Sequence, residues 1–165
     1  MATKNTNLSV YDKAKTPSAA PFRFGIVVSA WNPKITQGMY QGAFNTILDC
    51  GGTEENIVRW DVPGSFELVY GCKKMAQNVG ALDAIIAIGS VIRGETKHFD
   101  YVCSAVAQGI KDLNLQSDTP VIFCVLTDNT LQQAVDRSGG KHGNKGTEAA
   151  IAAIKMAQLR KGAQG

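Results

Sequence analysis

The stretch Ala84-Ile-Ile-Ala-Ile-Gly-Ser-Val91, continued by Ile92-Arg-Gly-Glu-Thr-Lys-His-Phe-Asp100, changes its periodicity once, near Thr96. Up to Val91 it is a nearly unbroken apolar run, which reads as a strand buried on both faces and hence as part of a parallel sheet. Beyond Thr96, the residues Val102, Ala105, Val106, Gly109, Ile110 and Leu113 recur at helical spacing. Arg93-Gly94-Glu95-Thr96 is therefore a strand-to-helix turn at the carboxyl end of a buried strand. Open α/β sheets bind ligands at that end, and the free N–H groups of a helix's first turn attract anions. Gly94 allows a close backbone approach, Thr96 is placed to cap the helix, and His98 follows as a proton carrier. Taken alone, the same turn reads sooner as an ordinary cap beside a surface histidine, since most α/β connections carry no ligand, and other segments have to raise the odds.

Working outward, the same alternation repeats. Phe24 to Ala30 reads as a first strand, ended by Trp31-Asn32-Pro33, and Pro33 is expected to block smooth helical continuation. A helix is expected from about Thr36 to Leu48, stopped by Gly51-Gly52. Ile57 to Val62 reads as the second strand, after which Ser65 is expected to cap a helix from Phe66 to Asn78. Pro120 to Leu126 reads as the fourth strand, with Asp128 or Asn129 capping a short helix around Leu131, Ala134 and Val135. A glycine-rich loop from Gly139 to Gly146 leads to a last helix ending near Leu159, with a small-residue face of Ala149, Ala150, Ala153 and Ala157. Alternating strands and helices predict a three-layer α/β/α sandwich on a short four-stranded parallel sheet with right-handed crossovers. Its exposed edges call for cover, which oligomerisation would provide.

The chain of 165 residues suits one domain with a real core, and its 44% hydrophobic and 19% charged residues are ordinary for a globular protein. A net charge of +3, with no basic run interleaved with aromatics, argues against a nucleic-acid surface. Cys50, Cys72, Cys103 and Cys124 stand apart inside apolar segments and read as reduced core residues. The N-terminus shows no apolar block of a secretory signal, and no apolar run nears the ~20 residues of a membrane span. A cytoplasmic protein without membrane contact is expected. Residues 1–21 are polar, with Pro17 and Pro21, and read as an arm in which Leu8, Val10 and Ala14 alternate. That arm is either a short strand pairing outside its own core or a loose tail.

In a parallel sheet the loops after all strands converge at one end. Trp31 and Phe123 could sandwich a planar ring or simply belong to the core. Asn32 offers a donor and an acceptor to a heterocycle edge, or is a turn residue. Glu67 could accept from a polyol or only complement a helix dipole. Arg137 could clamp phosphate or partner a helix C-terminus, and Lys145 could donate to a ring or be solvated. Lys145 is followed by Gly146, so the glycine-rich loop is no nucleotide-binding P-loop, and no G-x-G-x-x-G follows the first strand. Gly64-Ser65-Phe66 lacks the glycines of a hydrolase elbow, and His142 reads as exposed and not a metal ligand.

Four motifs in order, Trp31-Asn32, Val62-Pro-Gly-Ser-Phe-Glu67, Gly89-Ser-Val-Ile-Arg-Gly-Glu-Thr-Lys-His98 and Arg137-Ser-Gly-Gly-Lys-His-Gly-Asn-Lys-Gly146, resemble the lumazine synthase family. The resemblance covers about Phe24 to Leu159. It implies a flavodoxin-like domain over residues 22–160, an N-terminal arm over 1–21 whose strand joins a neighbouring subunit, and a tail over 161–165. It implies condensation of 5-amino-6-(D-ribitylamino)uracil with 3,4-dihydroxy-2-butanone 4-phosphate to 6,7-dimethyl-8-ribityllumazine, phosphate and water, with no metal or organic cofactor. By position, Trp31 would stack on the pyrimidine, Ser65, Phe66 and Glu67 would contact the ribityl chain and ring, and Ser90, Val91 and Ile92 would present backbone groups. Phe123 of a neighbouring subunit would close the pocket, Asn32 and Lys145 would lie near the ring, and Glu95, Thr96 and Arg137 would hold phosphate. His98 would be the catalytic proton carrier. Glu95 would use its backbone N–H with the carboxylate turned away, and Lys97 would assist phosphate or offset Glu95. The resemblance further implies a homo-oligomer, a pentamer whose short loop between Arg137 and Gly146 points to an icosahedral shell, with riboflavin synthase as an encapsulated partner. The main alternative, a non-catalytic lumazine- or riboflavin-binding relative, has no use for the phosphate clamp of Thr96, His98 and Arg137. The same argument opposes an archaeal-type riboflavin synthase, and the positive charge opposes a flavodoxin-like electron carrier.

Overall fold

In the computed structural model, which describes residues 7–163, four parallel strands form the central sheet in the order β2-β1-β3-β4. They are β1 (Phe24–Ser29), β2 (Ile57–Val62), β3 (Ala84–Ile92) and β4 (Val121–Asp128). Every residue of β1 is buried, as is β3 from Ala84 to Ser90, so their unbroken apolar composition follows from being covered on both faces. Alternate residues divide between two cores. Phe24, Ile26, Val28, Ile86 and Ile88 pack with α1 (Pro33–Asp49) and α5 (Lys145–Ala163), while Val27, Ile85 and Ala87 pack with α2 (Leu68–Asn78) and α3 (His98–Gln116). The expected α/β/α sandwich is thus formed. The small-residue face of α5 lets it lie close to α1: Ala150 and Ala153 are fully buried, and a side chain at Gly146 would collide with the Met39 carbonyl.

Several element ends differ from expectation for local reasons. Helix α1 begins at Pro33 itself rather than near Thr36. Proline at the first helical position loses no hydrogen bond, since that N–H is unsatisfied anyway, and its φ is preset. Helix α2 starts at Leu68, not Phe66, and Ser65 does not cap it with its side chain. Helix α4 (Leu131–Arg137) is capped by neither Asp128 nor Asn129. Thr130 does so, its side chain accepting from the Gln133 N–H at 3.2 Å. The glycine-rich loop is a hairpin of β5 (Ser138–Gly140) and β6 (Gly143–Asn144), with Gly139 and Gly143 at φ of 123° and 82°, where an L side chain would be strained. Helix α5 runs to Ala163, beyond the expected end near Leu159.

The described part of the arm forms no strand within its own chain. Leu8 donates its N–H to the His142 carbonyl at 2.8 Å, and the Tyr11 hydroxyl and Lys13 ammonium both donate to Asp49 at 2.6 and 2.8 Å. Of the alternating trio, Leu8 is buried while Val10 is exposed; residues 1–6 of the arm and 164–165 of the tail lie outside the described residues.

Candidate active site

The carboxyl ends of β1, β2 and β3 open onto a cavity of about 610 Å³. Trp31, from the β1–α1 turn, forms one wall, and Gly64, Ser65, Phe66 and Glu67 come from the β2–α2 turn. His98, Tyr101, Val102 and Ala105 line it from α3. Five residues singled out from sequence, Trp31, Ser65, Phe66, Glu67 and His98, are therefore brought together. Gly64 permits the arrangement: a Cβ there would stand 2.8 Å from Glu67 Oε2 and 3.1 Å from Trp31 Cδ1, so the carboxylate and the indole edge share its vacant side. Trp31 is 71% exposed, which removes the reading of it as core.

Asn32 sits at φ 54°, ψ 57°, a left-handed conformation that asparagine tolerates better than most residues. Its side-chain Nδ2 donates to the Ser90 carbonyl at 3.0 Å, tying the ends of β1 and β3 together. Both the amide donor of Asn32 and the backbone acceptor of Ser90 are thereby engaged within the chain. Val91 and Ile92 are half-buried at the end of β3. The hydroxyls of Ser29, Ser65 and Ser90 are buried without a partner among the described residues, unusual for polar groups. Ser65 Oγ fills the space left by Gly89, where a Cβ would be 2.6 Å away.

Residues 93–98 are all exposed. Thr96 does assist the start of α3, since its Oγ1 accepts from the His98 N–H at 3.3 Å. That helix is long and starts at the cavity wall; of its first-turn N–H groups, those of His98 and Asp100 are already engaged, by Thr96 Oγ1 and by the Lys97 carbonyl at 3.0 Å. Among the described residues, none is hydrogen-bonded to the side chains of Glu95 and Lys97, both of which are exposed.

Phe123, Arg137 and Lys145 do not line the cavity of their own chain. Phe123 stands on the edge strand β4, 38% exposed, which decides against its being a core residue. Arg137 ends α4; its Nη1 donates to the Gln133 carbonyl at 2.9 Å and lies 3.8 Å from Asp128 Oδ1. Burial pushes the Asp128 carboxyl above its usual range, with Arg137 acting against it, and its Oδ2 has no hydrogen-bond partner among the described residues. Lys145 starts α5, its Nζ 2.6 Å from Glu148 Oε1, and its carbonyl accepts from the Cys124 thiol in the α1–α5 core. It therefore lies across the sheet from the cavity, not beside it. Burial pushes the Cys72 and Cys124 thiols up to about 12, so both are inert; Cys103 is half-buried and all four are free. Among the described residues no group of three or more His, Cys, Asp or Glu could hold a metal ion, and no helix is long and apolar enough to cross a membrane.

Tyr101 escaped the sequence reading. Its signal was its place three residues after His98, with Val102 and Ala105 at the next helical steps. Of the expected apolar stripe, Val106, Ile110 and Leu113 are buried in the core while Val102 and Ala105 also line the cavity, and Tyr101 beside them is 72% exposed.

A doubly covered parallel sheet with its cavity at the strand ends, aromatic on one wall and a histidine at a helix start on another, defines a flavodoxin-like α/β protein with a small-molecule site. A profile of the 6,7-dimethyl-8-ribityllumazine synthase family matches residues 21–161. The chain is 69% identical over 164 residues to the 6,7-dimethyl-8-ribityllumazine synthase of Christiangramia forsetii, covering 99% of this chain and 98% of that protein. It is 67% identical over 160 residues to the protein of that name from Flavobacterium johnsoniae, covering 97% and 84%, and 50% identical over 161 residues to that of Porphyromonas gingivalis, covering 98% and 99%. The chain belongs to the 6,7-dimethyl-8-ribityllumazine synthase family.

Proposed function

We propose that this chain is a transferase of riboflavin biosynthesis that condenses 5-amino-6-(D-ribitylamino)uracil with 3,4-dihydroxy-2-butanone 4-phosphate, giving 6,7-dimethyl-8-ribityllumazine, phosphate and water. The observation that carries this reading is the single cavity holding Trp31, Glu67 and His98, an aromatic face, a polyol acceptor and an imidazole. Trp31 stacks on the pyrimidine ring. Glu67 hydrogen-bonds the ribityl chain, with Ser65 and Phe66 beside it on the same turn. Ser90, Val91 and Ile92 form the backbone floor under the heterocycle, and Asn32 holds that floor through the Ser90 carbonyl.

The 5-amino group attacks the ketone to form a Schiff base, phosphate leaves by elimination, and the ribityl-bearing nitrogen closes the ring. Elimination needs a base and a place for the anion to go. His98 moves the proton, and the N–H groups of Glu95 and Thr96 at the start of α3 receive the phosphate. Aligning two substrates supplies much of the acceleration, on the order of 7–11 kcal/mol for well-oriented reactants.

The cavity walls include no lysine or arginine. A phosphate-bearing substrate calls for a cation, so Arg137, together with Phe123 and Lys145, reaches the site from a neighbouring copy. The apolar surface supports this: Trp31, Phe66 and Tyr101 by the cavity, and Phe123, Leu131 and Val135 on β4 and α4, are exposed side chains that a neighbouring copy would cover. The assembly proposed is a pentamer built into an icosahedral shell in the cytoplasm, with residues 1–21 reaching a neighbour, 22–160 forming the domain and 161–165 the tail, and with riboflavin synthase as the enclosed partner. Mixing the two substrates with the protein tests the reaction. Lumazine fluorescence should rise in step with phosphate release; fluorescence without phosphate, or neither, would contradict it.

A further inference from the structure

Arg93, the first residue beyond β3, holds both ends of the turn that carries Thr96 and His98. Its backbone N–H donates to the Asp128 carbonyl at 2.9 Å, and its Nε donates to Asn129 Oδ1 at 3.0 Å, anchoring it to the end of β4. On the other side, Nη2 and Nη1 donate to the two carboxylate oxygens of Asp100 at 2.9 and 3.5 Å. Its guanidinium carbon lies 4.2 Å from the centroid of the Phe99 ring. Phe99 is buried and follows His98 directly, so the guanidinium reaches from the end of β4 to the first turn of α3. Residues 94–98 are strung between these two fixed points. The fork of Arg93 is already filled by Asp100 and Asn129, which leaves it poorly placed to take a substrate anion of its own.

We infer that Arg93 is a positioning residue for the phosphate-binding turn: it fixes the Thr96 hydroxyl, the first-turn N–H groups and His98 relative to the cavity without touching substrate. This rests on the reading of residues 94–98 as the anion site given above. The task needs a planar fork that bonds in two directions while stacking on a ring, which a lysine ammonium cannot reproduce. Arg93 and Asp100 side chains are 43% and 55% exposed, so their pairing adds little to global stability. A change here should alter the turn without unfolding the protein, and a displacement of about 1 Å costs on the order of 10²-fold in a well-aligned reaction.

The test compares Arg93→Lys, Arg93→Gln and Asp100→Asn with the unmodified oligomer. In both Arg93 variants the KM for the phosphate-bearing substrate and the Ki of inorganic phosphate should rise together, by roughly 10-fold or more, against a smaller rise in Asp100→Asn. The KM for the uracil substrate, the melting temperature and the assembled mass should stay as they were. Arg93→Gln combined with Asp100→Asn should be no worse than Arg93→Gln alone, because both act on one network. Unchanged phosphate KM and Ki would overturn the inference, as would equal rises in both KM values with a lowered melting temperature. Should the Arg93 variants fail to fold, Asp100→Asn decides: a selective rise in phosphate KM and Ki supports positioning, and no rise overturns it. Thr96→Ala is the control for the underlying site. If it leaves phosphate KM and Ki unmoved, the anion-site reading fails and takes this inference with it; if it raises them while the Arg93 and Asp100 variants do not, only the inference fails.

Discussion

The side-chain amide of Asn32 donates to the carbonyl oxygen of Ser90 at 3.0 Å, joining the end of β1 to the end of β3. Asn32 holds this bond from a left-handed backbone conformation. Two effects are therefore separable at one position. Asn32→Gly loses the bond but suits the left-handed backbone, whereas Asn32→Ala loses the bond and keeps a Cβ in that conformation without the polar side chain that eases it, a cost of roughly 1–2 kcal/mol. Urea unfolding should find Asn32→Ala less stable than Asn32→Gly by about that amount. Both should weaken binding of the uracil substrate, measured as a higher KM.

Gly89 and Gly94 look alike in sequence and differ in what surrounds them. A Cβ on Gly89 would stand 2.6 Å from Ser65 Oγ and 2.9 Å from Leu68 Cδ1, so Gly89→Ala should destabilise by about 1–3 kcal/mol and displace Ser65 from the cavity. Nothing lies within 4 Å of a Cβ on Gly94, and its φ is not positive. Gly94→Ala should melt within about 0.5 kcal/mol of the parent yet raise the KM for the phosphate-bearing substrate, because only an approaching anion meets the added methyl.

His98→Ala should reduce kcat by tens of fold, at or below the ~10²–10⁴ range of general acid–base groups, since alignment of the substrates persists. Steady-state fluorescence measures this. A folded variant with no turnover would contradict the division of labour between proton transfer and alignment.

Asp49 receives hydrogen bonds from Lys13 and Tyr11, which hold its carboxyl below the usual 3.8. A lowered native value means that the stabilisation is full above the unfolded value and is lost as pH falls through the native one. The arm should therefore release below about pH 4, well separated from neutral conditions. Protection of the amides of residues 11–15, relative to the free-chain exchange rate at the same pH, should fall there, and Asp49→Asn should show low protection at pH 7 already.

The strands were legible because burial on both faces leaves a composition that polar elements cannot imitate, as in Ala84 to Ser90. Helix starts were harder. Asp128, Asn129 and Thr130 are all good capping residues ahead of α4, and only the path of the chain selects Thr130. The hairpin after Arg137 hid because glycines at positive φ carry no apolar alternation to read. Within the site, residues on short turns such as Trp31 and Glu67 were visible as motifs. Tyr101 was not, since on a helix a site face and a core face share one spacing.

A pocket assembled from two copies makes a demand that a self-contained one does not. One variant lacks the His98 side, through Trp31→Ala with His98→Ala, and the other lacks the lent side, through Phe123→Ala with Arg137→Ala. Co-assembled in equal amounts, random neighbours pair an intact half with an intact half at about one interface in four. Mixed oligomers should therefore form lumazine at roughly a quarter of the unmodified rate, far above either variant assembled alone. Activity no greater than the average of the two separate variants would show that each chain builds its site by itself, and the shared-site account would be wrong.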